Sequence, residues 1–114
     1  MNIKNNLKID LVIKNGSVVL PDYNIDKIDI GINEGKICEL GSVDQSLADE
    51  VIDAKGLTVM PGAIDTQVHF REPGLTHKED IYHGTKGAIL GGVTTVFEMP
   101  NTSPATINKE QLDI

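Results

Sequence analysis

A chain of 114 residues accommodates one modest domain, and 39% apolar residues can fill a core, although aromatics are only 4% and tryptophan is absent. A net charge of -7, with no cluster of lysine or arginine to neutralise phosphates, excludes a general nucleic-acid or anionic-membrane partner. The single cysteine, Cys38, excludes an internal disulfide and any C-x-x-C metal site, and no run approaches the roughly 18 apolar residues of a spanning helix.

Residues 1–8 lack the apolar stretch of a signal peptide, so a reduced, cytoplasmic compartment is expected, with Cys38 as a small apolar side chain. Residues 9–13 read as a strand, and Asn15-Gly16 behind them is the strongest short hairpin signal a sequence offers. Residues 17–20 return from that turn, and Pro21-Asp22 ends the return. Residues 26–32 alternate well, with Ile28, Ile30 and Ile32 on one face and Lys27, Asp29 and Gly31 on the other. Asn33-Glu34-Gly35 turns the chain into a further strand at 36–40, which Gly41-Ser42 breaks. Residues 43–50 form a polar connector with room for one helical turn, and 51–53 and 57–60 are two more short strands around Ala54-Lys55-Gly56. The first sixty residues are expected to form a small antiparallel β-sheet module without chemistry of its own.

Met60-Pro61-Gly62-Ala63-Ile64-Asp65-Thr66-Gln67-Val68-His69-Phe70-Arg71-Glu72-Pro73-Gly74 is different in kind. At a period of two, residues 63–70 and the next position place Asp65, Gln67, His69 and Arg71 on one face, with Ile64, Thr66, Val68 and Phe70 on the other. Two interpretations fit that alternation: a half-buried strand whose polar face meets water, or a barrel strand whose polar face looks into an active-site mouth with His69 placed to bind metal. The punctuation favours the second, because Pro61-Gly62 opens the strand, Pro73-Gly74 closes it, and a helix and another strand follow directly.

The helix is marked by Thr76-His77-Lys78-Glu79, a capping-box pattern, with Glu79 and Asp80 suited to the positive end of its dipole. Ile81, Thr85, Ala88 and Ile89 supply an apolar stripe, and Gly91-Gly92 the stop. Residues 93–99 are a β-branched run of strand length, which makes a βαβ unit with a parallel pair. Thr102-Ser103-Pro104 is a loop, and 108–112 begin a second helix. His77 and His83 stand six residues apart, about 240° round a helix, and read as solvated helix histidines rather than a ligand pair.

Two segments, P-G-A-I-D-T-Q-V-H-F-R-E-P-G at 61–74 and M-P-N-T at 99–102, resemble the dihydroorotase family of the amidohydrolase superfamily. That family usually reads P-G-x-I-D-x-H-x-H-x-R-E-P-G at the first place, so Gln67 stands where its first histidine belongs. The resemblance covers nearly the whole chain and implies a piece amounting to the first third or less of such an enzyme. On this basis residues 1–60 would be the N-terminal part of a β-sandwich, and 61–114 the first βαβ unit of a truncated (β/α)8 TIM barrel. The implied reaction is reversible hydrolysis of the ring amide of dihydroorotate to carbamoyl aspartate by a zinc-activated hydroxide. Allantoinase- and hydantoinase-like activities are the alternatives within the superfamily. The alternative from another functional class is a non-catalytic dihydroorotase-like subunit assembling with aspartate transcarbamoylase. A homo-oligomer and a carboxylate-bearing small-molecule substrate are also implied.

Residue by residue, the resemblance makes His69 a metal ligand and puts Arg71 and Asn101 on the substrate carboxylate. A planar guanidinium pairs bidentately with a carboxylate, and an amide adds a further donor. The plainer alternatives are an ion pair of Arg71 with Glu72 or Glu98, and a turn-forming Asn101. Asp65 would orient the metal strand from behind the ligands; otherwise it is a strand acid bonding a backbone N–H. Gln67 offers zinc only a weak carbonyl oxygen. The whole protein would then bind one Zn2+ ion where relatives bind two, use the Gln67 oxygen in an altered site, or have lost catalysis. A catalytic zinc takes about three protein ligands, a set this chain cannot complete. The chain by itself is therefore expected to be inactive and weakly folded, with no catalytic group of its own. Glu98 shares a face with Val96 and Thr94 and is assigned no role.

Overall fold

The computed structural model describes residues 8–113, which divide after Pro61 into two compact units. The first unit contains strands β1 (Ile9–Lys14), β2 (Ser17–Val19), β3 (Ile25–Lys27), β4 (Asp29–Asn33), β5 (Lys36–Gly41), β6 (Ala48–Asp53) and β7 (Thr58–Val59). A 3-10 turn, Gln45–Leu47, precedes β6 and is capped by the Asp44 carboxylate, which accepts the Ser46 N–H. The strands form two sheets, in the order β5-β4-β1-β6 and β3-β2-β7.

These sheets are mixed, not antiparallel as expected, because β1 pairs parallel with β6 and β2 pairs parallel with β7. Asn15-Gly16 is accordingly no hairpin: it carries the chain from one sheet into the other. Its glycine is needed for a close approach, since a β-carbon on Gly16 would lie 2.6 Å from Val59 Cγ2 and 3.2 Å from Ala54 Cβ. Asn15 takes a left-handed φ of 62° there. Its backbone N–H donates to Asp29 Oδ1 at 3.1 Å and its side-chain amide to Asp53 Oδ1 at 2.8 Å. The single strand expected over 26–32 is likewise two, β3 against β2 and β4 against β1, with Ile28 as the crossing residue.

Where a hairpin does form, between β4 and β5, the loop is Glu34-Gly35 with φ of 49° and 71°. Both values suit the primed turns that match strand twist. The Glu34 N–H donates to Asp10 Oδ2 at 2.6 Å, fixing the turn to β1. Central strand β1 buries Ile9 and Val12 completely, and these pack with Val43 and Ala48. Elsewhere the unit leaves apolar surface open: Ile37, Leu40 and Met60 line an apolar groove of about 350 Å³. Cys38, expected as a small apolar side chain, is a free thiol on the exposed strand β5.

The second unit consists of β8 (Ala63–Val68), α1 (Ile81–Leu90), β9 (Val93–Glu98) and the short α2 (Lys109–Leu112). β8 and β9 pair in parallel across α1, as their spacing requires. The helix does not begin at Thr76. Residues 71–78 are tied into turns by Leu75 N–H to the Arg71 oxygen and Lys78 N–H to the Leu75 oxygen. Asp80 is the true cap, its carboxylate accepting the His83 N–H at 2.7 Å, while Glu72 Oε2 accepts the Ile81 N–H at 2.8 Å. Two orphan donors of the first turn are thereby satisfied by acids at the positive end of the dipole. The helix ends as expected, with Gly91 as cap and Gly92 at φ 84°.

Of the expected stripe, Thr85 and Ala88 are half-buried but Ile81 and Ile89 are exposed. The side that packs inward is centred on Gly84, the one buried residue of α1. Gly84 lies directly against the Phe70 ring, with no space for a methyl group between them.

Candidate functional site

The β8 ladder ends earlier than its alternation suggests. Its last pairing is Val68 with Glu98, closed by the Met99 N–H to the Val68 oxygen at 3.0 Å. The next ladder position is taken by a side chain: the Phe70 N–H donates to both Glu98 oxygens, at 3.2 and 3.0 Å. His69 and Arg71 thus lie beyond the strand, either side of a buried Phe70, and are not simply continued on a face with Asp65 and Gln67. The register also slips between Asp65 and Val68. The Gln67 N–H that this frees donates to Asp65 Oδ1 at 3.0 Å. Asp65 therefore does what a strand acid does in the plainer interpretation, and both it and Gln67 are exposed.

Arg71 has a left-handed φ of 65° and its Nη1 donates to the main-chain oxygen of Asn101 at 3.4 Å. Neither neighbouring acid holds it. Glu72 is engaged with the Ile81 N–H and Glu98 with the Phe70 N–H, and Arg71 makes no ion pair among the described residues. A guanidinium whose nearby carboxylates are occupied by backbone donors keeps its charge for another anion. The Asn101 side chain is exposed and makes no hydrogen bond among the described residues. Arg71 and Asn101 are brought together, though through the Asn101 main chain, and the side-chain amide is left for other work.

The two loops that carry them are stitched to one another. The Ser103 N–H donates to the Pro73 oxygen at 2.9 Å, and Gly74 packs directly on Ser103. Thr102 is buried: its hydroxyl donates to the Pro104 oxygen at 2.7 Å and accepts the Thr106 N–H at 3.0 Å. This network holds the turn that presents Asn101.

His69 Nδ1 is buried and without a hydrogen-bond partner. An orphaned imidazole nitrogen suits a metal ligand or a hydrogen bond to an absent group. It does not make a metal site by itself, since no group of three histidine, cysteine, aspartate or glutamate side chains comes together among the described residues. His77 lies in the turns ahead of α1, not in the helix. His83 is on the helix surface, its Nδ1 2.8 Å from the Asp80 carboxylate. That carboxyl is held below its ordinary value by the His83 backbone N–H first and the His83 ring second. Glu98 and Gly84 carried no signal beyond a charge ending an apolar strand and a glycine within a helix. Their function is visible only once Phe70 is placed.

The geometry can be set beside known proteins. Residues 56–114, just over half of the chain, match the family model described as Dihydro-orotase-like. The chain belongs to that family. A dihydroorotase of Streptococcus pneumoniae serotype 4 is 48% identical over 103 residues, covering 90% of this chain and 24% of that protein. The L-hydantoinase (dihydropyrimidinase) of Arthrobacter aurescens superposes with a TM-score of 0.81 at 35% identity, covering 90% of this chain and 23% of its own. The N-acyl-D-glutamate deacylase of Bordetella bronchiseptica, solved with zinc and a phosphonate inhibitor, gives 0.63 at 26% identity, over 78% and 18%. This dihydroorotase-like chain thus spans about a quarter of the length of the curated relative it matches. No described helix is long and apolar enough to cross a membrane.

Proposed function

We propose that the whole protein is a dihydroorotase, a cyclic amidohydrolase that opens the ring of dihydroorotate to carbamoyl aspartate and closes it again. The observation that carries this reading is Arg71, a guanidinium without an ion pair among the described residues, its Nη1 3.4 Å from the Asn101 main-chain oxygen where the loops after β8 and β9 meet. Together they offer a fork and a free amide to one carboxylate. Dihydroorotate has such a carboxylate, and a simple hydantoin has none. The likeness to dihydroorotases at close to half identity supports the same choice over a hydantoinase.

In this reading β8, α1 and β9 begin a (β/α)8 barrel at residue 61, with the functional groups after the strand ends, the usual place in that fold. Residues 1–60 are part of the accompanying β-sandwich. His69 would be one ligand of a zinc ion, Gln67 at most a weak one, and Asp65 an orienting group behind them. The remaining ligands would come from outside this chain. When bound, zinc supplies Lewis acidity and lowers the pKa of a water to about 7. The part played by this chain is to bind and orient the substrate. A cytoplasmic homo-oligomer is the setting that the family likeness supports.

Gln67 favours a second reading, a non-catalytic subunit that assembles with aspartate transcarbamoylase. A dihydroorotate ring-opening assay on the whole protein with zinc, using hydantoin as control, separates the two. Turnover of dihydroorotate but not hydantoin is expected. Equal turnover of both would indicate a hydantoinase, and turnover of neither the assembly subunit.

A further inference from the structure

We propose that Glu98 is a positioning residue for Arg71, acting through the main chain of Phe70; this deepens the carboxylate-binding reading above and rests on it. Phe70 is held at two points. Its N–H donates to both oxygens of Glu98, at 3.2 and 3.0 Å, and its ring lies against Gly84 of α1 without space for a methyl group, the residue as a whole being 8% exposed. Arg71 is the next residue, and its φ of 65° is a conformation that a long side chain adopts only when its surroundings impose it.

Glu98 has the attributes of such an imposing group. It forms no ion pair among the described residues, so its charge is directed at a backbone donor, and a charged acceptor makes such a bond roughly twice as strong as a neutral one. It is the last residue of β9, three positions before Asn101. One short segment therefore grips the backbone beside the guanidinium and also delivers the amide that would share its ligand. Lengthening or loosening the grip would move Arg71 relative to Asn101 without altering either side chain.

The test combines site-resolved amide hydrogen exchange with steady-state kinetics, both on the whole protein, for Glu98→Ala and Glu98→Gln. In Glu98→Ala the Phe70 amide should lose protection by about tenfold or more, the range for a bond to a charged group. Glu98→Gln, which keeps one neutral acceptor oxygen, should restore part of it. In the whole protein Glu98→Ala should raise KM for dihydroorotate by about tenfold with a smaller change in kcat. The increase should largely vanish in an Arg71→Lys background, since both changes would remove one interaction. Unchanged exchange in Glu98→Ala, or an additive effect on KM in the Arg71→Lys background, would overturn the proposal. A wild-type protein without turnover would overturn the functional reading instead, and the exchange measurement would still decide whether Glu98 holds Phe70.

Discussion

Gly74 and Ser103 approach so closely that a β-carbon on Gly74 would run into the Ser103 carbonyl oxygen. The contact joins the loop after β8 to the loop after β9, and the adjacent Ser103 N–H to Pro73 oxygen bond, 2.9 Å, closes it. Gly74 also has a φ of 86°, which an L side chain resists. Gly74→Ala should therefore cost about 2 kcal/mol or more, strain and collision together. It should also part Arg71 from Asn101. Urea denaturation of the whole protein measures the first effect, and KM for dihydroorotate the second. An unchanged midpoint would mean that the loops part freely.

Gly84→Ala sets two effects against each other. Alanine improves a helix interior by about 1 kcal/mol over glycine. Forcing a methyl against a fixed ring costs about 1 to 3 kcal/mol. Because the Phe70 backbone is held by Glu98, the ring has little freedom to retreat, and net destabilisation is expected. Gly84→Val should be worse. A stabilised Gly84→Ala variant in thermal melts would show that Phe70 yields.

Much of the second unit was legible in the sequence because its signals are local. The Gly91-Gly92 stop and the start of α2 near residue 108 follow from residues within a turn or two of one another, and the parallel pair follows from one helix length between two strand-like runs. The first unit was less legible. Asn15-Gly16 reads as a hairpin to its neighbours, yet Val59 and Ala54, about forty residues away, decide that the backbone passes between sheets there. The alternation over 26–32 likewise continues smoothly through Ile28 while the pairing partner changes. At the candidate site, the motif pointed to His69 and Arg71, but the early end of β8 depends on Glu98 intercepting the Phe70 N–H, a contact between residues 28 positions apart.

Asp80 predicts a pH dependence. Its carboxyl is lowered by the His83 backbone N–H and then the His83 ring, so its folded value lies below the unfolded one. Its stabilisation is thus fully present above the ordinary carboxylate range and is lost as pH falls through the lowered folded value. Asp80→Ala should depress Tm at neutral pH, and the gap from wild type should narrow in acid. A gap that stays constant down to strongly acidic pH would contradict the cap.

Zinc should not be held tightly by this chain. His69 contributes one orphaned nitrogen, and no set of three strong donors gathers among the described residues. Titration of the full chain, followed by NMR of His69, should show affinity no better than that of a lone solvated imidazole. A stoichiometric site of roughly micromolar affinity that disappears in His69→Ala would contradict this, at the level of affinity expected only for a closed ligand set.

The central claim is that Arg71 holds a substrate carboxylate, and Arg71→Lys in the whole protein tests it most directly. An ammonium keeps the charge but cannot reproduce the planar fork. Steady-state kinetics with dihydroorotate should show kcat/KM reduced by about 2 to 4 kcal/mol in transition-state stabilisation. A kcat/KM close to wild type would contradict the account, because the carboxylate would then be held elsewhere or the substrate would have none.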